Sequence, residues 1–428
     1  MAPPSSKSTR PRHKFFETSG QELLAGRFKV SYDHMLGEGS FSRVYKGLDR
    51  TCNREVAVKI YKCSPADDDW QACMTHFKET LNTMQVIADA GLGRDEHPVA
   101  ARKPPPSSAK PLPARQHRRR SFEADIIEDD ISRSTSQLLE TSVLQSIDTS
   151  QCFVQVLGNS EQANAPGMDP ELEKLFIVFE LGGESLEDTL EEHAAEGKML
   201  SVEELRHIQW SLVSIVCGLH AAGFVHMDIK PANIVLFGKF WKLVDFDGAR
   251  PSGTIMRVEE MCMTPMYMAP EVAKLALDEH ETTQVSRLMD VWSVGLCAIE
   301  VVFLQPVMRP WYTEWFEETG NSAKFMAWLG DYKADPVLMD ADMCEAMTQI
   351  DPEMGELLQG MLIKDPNERF DIARCLTHPW FEPIRSKVWN DKFGQEPTKL
   401  AGRRGSLLGA LGIGGGEGQK GAKACVMM

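Results

Sequence analysis

Within the stretch FVHMDIKPANIVLF, residues 224–237, a carboxylate (Asp228), an ammonium (Lys230) and a carboxamide (Asn233) stand at fixed offsets along a few residues. A set of that kind can take a proton from a hydroxyl, offset charge on a phosphoryl group in flight and hold a divalent cation. Apolar residues on both sides read as two short strands, so the polar groups fall on the loop between them. More groups of matching chemistry lie at a distance on either side. Lys59 ends the strand-like EVAVK, and Asp245 follows the apolar run in WKLVDFDGAR. Gly37 and Gly39, in LGEGSFS, are glycines whose backbone N–H groups can come close to phosphate oxygens.

Taken in order, these stretches resemble the eukaryotic protein kinases of serine/threonine type. HMDIKPAN is similar to the H-R-D-x-K-x-x-N catalytic loop, with Met227 in the arginine's place. The resemblance makes Asp228 the catalytic base, Lys230 the charge stabiliser, and Asn233 and Asp245 the Mg²⁺ ligands. GEGSFS resembles a Gly-rich loop with Ser42 at the third glycine, so Gly37, Glu38, Gly39, Ser40 and Val44 are expected to cover the ATP phosphates. EVAVK resembles the V-A-I-K strand, with Lys59 on the α- and β-phosphates and Ala57 against the adenine. In KLFIVFELGG, Phe179 is expected to close the back of the nucleotide pocket, and Glu180 and Leu181 to offer backbone hydrogen bonds to the base; Glu184 is a candidate for the ribose. Asp247 stands where the family usually has glycine after Asp-Phe and is the alternative metal ligand, though the preceding KLV run and the spacing favour Asp245.

Further along, CMTPMYMAPE resembles the end of an activation segment. Thr264 is then expected to touch Asp228 and Lys230, and Glu271 to pair with Arg369 of KDPNERF. Asp290 of MDVWSVG is expected to brace the catalytic loop. Lysine at 230 together with threonine at 264 implies serine or threonine substrates rather than tyrosine. With Met227 in place of arginine, no cation there can read a phosphate, so activity is expected not to depend on phosphorylation at Ser252 or Thr254.

The elements that must position these groups are mostly plain. Alternation on both sides of the glycine turn predicts a hairpin. Ser201 and Glu204 make a capping box opening a long helix that Gly223 closes, directly before the catalytic loop. VWSVGLCAIEVVFLQPV is too short and interrupted to span a bilayer and predicts a buried helix. Two helices compete to supply a glutamate to Lys59. WQACMTHFKETLNTMQVIADA carries an apolar stripe of Trp70, Met74, Phe77, Leu81 and Met84 and offers Glu79. SQLLETSVLQSI offers Glu140 beside Val143, Leu144 and Ile147 and runs into the strand-like CFVQVLG. Glu140 is favoured, which makes residues 64–133 an insertion whose Pro-rich, basic middle cannot pack. RRRS within it makes Ser121 a candidate phosphosite.

The formal net charge of -16 argues against nucleic acid as a partner. Ten cysteines without a CxxC pair, and no secretory signal, read as reduced thiols of a cytoplasmic protein. The final Cys-Val-Met-Met fits C-a-a-X, the pattern of a prenylated cysteine, and makes Cys425 an expected lipid anchor to a membrane surface. Ser406 in RRGSL is a candidate phosphosite whose charge would oppose anionic lipid.

The expected architecture is α+β and bilobal, a small antiparallel sheet lobe with one helix over a larger, mainly helical lobe. Residues 1–26 form a flexible tail, 27–63 and 134–181 the first lobe, 182–393 the second, and 394–428 a Gly-rich tail. The activity implied is ATP- and Mg²⁺-dependent phosphorylation of serine or threonine on proteins. The alternative is a lipid-anchored pseudokinase scaffold, for which Ser42, Met227, Asp247 and the competition between two helices for the glutamate speak.

Overall fold

Alternation along β4 (Arg54–Tyr61) sends Val56, Val58 and Ile60 to one side and Lys59 and Tyr61 to the other. On the first side they meet Leu23, Phe28, Val30, Phe176 and Val178 in one apolar cluster. On the second, Tyr61 packs with Leu175, Ile177 and the helix residues Cys73 and Phe77. The computed structural model describes residues 21–92, 149–162, 174–261, 263–276, 281–317, 322–333, 337–339 and 341–393.

The sheet is six-stranded and antiparallel, in the order β1 (Gln21–Leu23), β2 (Phe28–Glu38), β3 (Ser42–Asp49), β4, β6 (Phe176–Glu180), β5 (Val156–Asn159). β2 and β3 form the expected hairpin, pairing Gly37 with Val44 and Glu38 with Arg43. Of CFVQVLG, the latter part joins the sheet; Phe153 bridges instead to Leu243, outside it.

Helix α1 (Trp70–Leu92) forms where the apolar stripe predicts. Phe77, Met84 and Ile87 are buried, and Trp70, Met74 and Leu81 pack at the rim of the cluster against the sheet. Burying a side chain such as Phe77 contributes roughly 1.5–3 kcal/mol. The expected insertion over 64–133 therefore opens with a helix built into the sheet's own core. Residues 93–148, with Glu140 and Ser121, lie outside the described residues.

Beyond β6 the chain is mainly helical. α2 (Leu186–Glu196) and α3 (Val202–Ala221) each begin with a capping box, Ser185 with Asp188 and Ser201 with Glu204. Gly223 follows α3 at φ 90°, a left-handed turn suited to glycine. It leads into β7 (Phe224–Val225), the loop 226–233, and the hairpin β8 (Ile234–Phe237) with β9 (Phe240–Leu243). β10 (Arg250–Pro251) pairs back onto β7, and β11 (Ile255–Arg257) pairs with β12 (Thr282–Gln284), flanking the short α4 (Pro270–Ala273). VWSVGLCAIEVVF falls in α5 (Arg287–Phe303), buried from Met289 to Val302, and the chain turns at Leu304 with φ 57°. Among the described residues no helix is long and apolar enough to cross a membrane.

Candidate active site

The loop 226–233 is held from beneath by one buried carboxylate. Asp290, on α5 and wholly buried, accepts the backbone N–H of His226 at 2.9 Å and of Met227 at 2.9 Å, and lies 2.9 Å from His220 Nε2 on α3. A buried carboxylate is tolerable only with such a set of partners, which here also fix the loop's path. Met227 adopts φ 67°, a strained choice for a side chain of its size. It is buried with Val225 and Val285, against Met256, Met261 and Met263.

Asp228 then stands at the loop's mouth, ringed by donors. Its Oδ1 accepts from the Thr264 N–H (3.0 Å) and hydroxyl (2.7 Å), and its Oδ2 accepts from Lys230 Nζ (2.8 Å). Lys230 also donates to Thr264 Oγ1 at 2.8 Å. Asn233 Nδ2 donates to the Asp228 carbonyl at 2.8 Å and to Oδ2 at 3.3 Å. With its N–H₂ so engaged, Asn233 presents its amide oxygen as the atom able to meet a cation. Thr264 and Asp228, far apart in sequence, are thus brought together as expected.

Lys59, on β4 beside Val44, reaches across from the sheet. Its ammonium lies 2.8 Å from Asp245 Oδ1 and 2.7 Å from Asp247 Oδ1. Burial alone would push the lysine down, but the two carboxylates outweigh it and raise its pKa well above the ordinary value. In turn the Lys59 charge holds the Asp245 carboxyl below the usual carboxylate range, against the effect of burial. Asp245 takes φ 62°, while Phe246 is buried edge-on to Phe153 and His226. That anchored ring fixes where the two flanking carboxylates point.

Of the two expected glutamates, only Glu79 lies among the described residues. Glu79 turns instead to Arg250, 3.1 Å from its Nη2, with its side chain 44% exposed. Glu140 lies outside the described residues, as do Cys425 and Ser406. Thr80 is the residue that sequence reasoning passed over, and Asp247 the one whose contact with Lys59 it did not foresee. Thr80 sits fully buried on α1 and donates to Asp247 Oδ1 at 3.0 Å. The available signal was a hydroxyl standing in an otherwise apolar stripe between Phe77 and Met84, facing an acidic residue where glycine is usual.

The remaining candidates line the cleft edge. Gly39 N–H closes the hairpin turn onto the Ser42 carbonyl at 2.9 Å, and Glu38 pairs with Arg43 and Lys62. Ala57 pairs with Phe179 across β4 and β6, and Phe179 packs against the apolar clusters on both sides. The N–H of Glu180 is already given to the Gln155 carbonyl and its carboxylate to Lys242, so its carbonyl is the backbone group it can offer a base. Lower down, Arg369 grips Glu271 through two hydrogen bonds of 2.9 and 2.8 Å and donates as well to the carbonyls of Ile363, Leu288 and Lys364.

Among the described residues no cluster of three or more His, Cys, Asp or Glu forms a metal centre of its own. One carboxylate and one amide oxygen suit Mg²⁺, which takes most of its ligands from water and phosphate oxygens.

The protein kinase domain matches residues 123–381, more than half of the 428-residue chain. The glycine turn and Lys59 precede that span and join it through the Lys59 ion pairs. The chain is 25% identical over 252 residues to serine/threonine-protein kinase RAD53 of Saccharomyces cerevisiae, covering 56% of this chain and 28% of that one. It is 25% identical over 255 residues to mitogen-activated protein kinase 3 of Arabidopsis thaliana, covering 53% and 66%. It is 28% identical over 218 residues to the human phosphorylase b kinase gamma catalytic chain, liver/testis isoform, covering 50% and 49%. The match thus spans less than two thirds of each relative.

Proposed function

This chain belongs to the protein kinase family, and from that premise we propose that it transfers the γ-phosphoryl group of ATP to serine or threonine hydroxyls of proteins. The observation that carries the proposal is the ring of donors around Asp228, which fixes both oxygens of its carboxylate beside the Lys230 ammonium. The ion pair between Lys59 of the sheet and Asp245 of the helical part supports a bilobal reading with the nucleotide between the two.

ATP bound with Mg²⁺ supplies the phosphoryl donor and neutralises much of its charge. Asn233 and Asp245 are the residues that would hold the metal, and Lys59 the phosphates. Asp228 orients the incoming hydroxyl and takes its proton as the new O–P bond forms and the bond from the γ-phosphorus to the departing ADP breaks. Lys230 sits beside the same carboxylate, where it offsets negative charge on the moving group. Thr264 ties the two together and, as part of the segment that ends in Glu271, shapes the groove for an extended peptide.

The packing of Met227 supports activity without activation-segment phosphorylation. An apolar contact with Met256, Met261 and Met263 does the holding that an arginine–phosphate pair would otherwise do. A Ser252→Ala/Thr254→Ala variant should therefore keep most of its activity.

The test is incubation with Mg·ATP and a generic basic protein, followed by identification of the phosphorylated residues. Phosphoserine and phosphothreonine are expected. Exclusive phosphotyrosine, or no protein-bound phosphate from a preparation that binds ATP, would overturn the proposal.

A further inference from the structure

We propose that Asp247 is the positioning residue for Lys59, supplying from the 245–247 turn the carboxylate that a helix glutamate was expected to supply, with Thr80 of α1 as its anchor. The inference rests on the proposed function in treating Lys59 as the phosphate anchor.

Lys59 has two carboxylates within 2.8 Å, but they differ in surroundings. The Asp245 side chain is 48% exposed, whereas Asp247 is 17% exposed and bonded to Thr80 of α1. An aspartate engaged with a cation cannot also serve fully as the lysine's counter-charge. Asp247 is the partner that stays, and a charged hydrogen bond to a buried ammonium is among the stronger fixed contacts a site can have.

Two adjacent helix residues hold that turn. Thr80 donates to the Asp247 carboxylate, sharing its hydroxyl with the His76 carbonyl at 2.9 Å. Glu79 binds Arg250, whose Nη1 donates to the Asp247 carbonyl at 3.1 Å and to that of Ala249 at 2.9 Å. The position of α1 is thereby transmitted to Lys59 through the turn rather than by a direct lysine–helix pair. Thr80 Oγ1 and Lys59 Nζ meet the same Asp247 oxygen, at 3.0 and 2.7 Å, so a glutamate at position 80 tests whether the charge can be moved from turn to helix without altering the total.

The experiment compares Asp247→Gly, Asp247→Gly/Thr80→Glu and Thr80→Val with the parent chain. Three quantities are read: KM for ATP against kcat, affinity for a fluorescent ATP analogue, and the rate at which an amine-acylating reagent labels Lys59 without nucleotide. Asp247→Gly should weaken nucleotide affinity and raise KM by about ten- to a hundredfold, the usual loss for a hydrogen bond to a charged group. It should also speed labelling, since a lysine freed from its 2.7 Å bond to Asp247 is less tightly held and more open to the reagent. Thr80→Glu in that background should return affinity and labelling rate toward parental values, which a merely structural role for Asp247 would not produce. Thr80→Val, which keeps the shape, should shift both in the same direction as Asp247→Gly by less, and serves if Asp247→Gly fails to fold. Labelling and affinity unchanged in Asp247→Gly, or in Thr80→Val where that variant stands in, would overturn the inference, as would failed restoration in a folded double variant. Labelling and nucleotide binding do not need phosphoryl transfer, so absence of transfer in the parent chain would refute the proposed function alone.

Discussion

Asp228 accepts from four donors belonging to three residues, and each constrains a different degree of freedom of its carboxylate. Thr264 is the member whose loss should be most informative, because its hydroxyl both donates to Asp228 and accepts from Lys230. Thr264→Val keeps the size and removes that link. We expect kcat to fall about 10²-fold, the lower range for general-base assistance, with KM for ATP little changed. A variant with parental kcat would show that the bridge is incidental. At this scale the legible part of the site was the part written in short spacings. Asp228, Lys230 and Asn233 lie on one loop, so their proximity follows from the chain itself. The partner of Lys59 does not, because it is decided by how α1 approaches the 245–247 turn. Asp247 was visible as a departure from glycine, but nothing local says that its carboxylate turns toward a lysine 188 residues earlier.

Single elements carry the site by being tied at their ends. The segment from Thr264 to α4 is held at one end by Asp228 and at the other by Glu271 gripping Arg369, whose side chain is wholly buried. Glu271→Ala leaves that guanidinium without its counter-charge, though three carbonyls still accept from it. The expected cost is about 3–5 kcal/mol of stability in urea unfolding, the usual loss when one side of a buried pair is removed. A loss below about 1 kcal/mol would mean that the carbonyls alone satisfy Arg369. Sequence pattern served well for such elements: the stripe on α1, the alternation around the glycine turn and the Ser201–Glu204 box all appear where their patterns put them. It served poorly for CFVQVLG, since an apolar run does not say which neighbour it will pair with, and Phe153 turns to Leu243.

Across the whole molecule, pH should act on stability through groups outside the catalytic loop as well as within it. Glu300 on α5, 5% exposed, is pushed up to about 7 by burial, with the Tyr267 hydroxyl 2.7 Å away opposing the shift and Glu187 adding to it. A carboxyl whose folded pKa is raised holds its proton in the fold while the unfolded chain releases it. Its contribution is complete below the ordinary value of 4.5 and is lost as pH rises through about 7. Glu300→Gln keeps the hydrogen bond to Tyr267 and removes the titration. Relative to the parent chain, the variant should gain on the order of 3 kcal/mol between pH 4.5 and pH 8. An offset in Tm between the two proteins that is the same at both pH values would show that Glu300 does not titrate there. The carboxylates with lowered pKa, Asp49 and Asp245 among them, act in the opposite sense and at lower pH, which is why the comparison is between variant and parent.

The central claim is that Asp228 does chemistry on a nucleotide that the rest of the cleft binds. Single-turnover transfer from Mg·ATP, measured beside equilibrium ATP affinity in the parent chain and in Asp228→Asn, tests it most directly. The account predicts that Asp228→Asn binds ATP as the parent does but transfers about 10²–10⁴ times more slowly. Equal transfer rates in the two proteins, or ATP binding by the parent with no transfer at all, would contradict it.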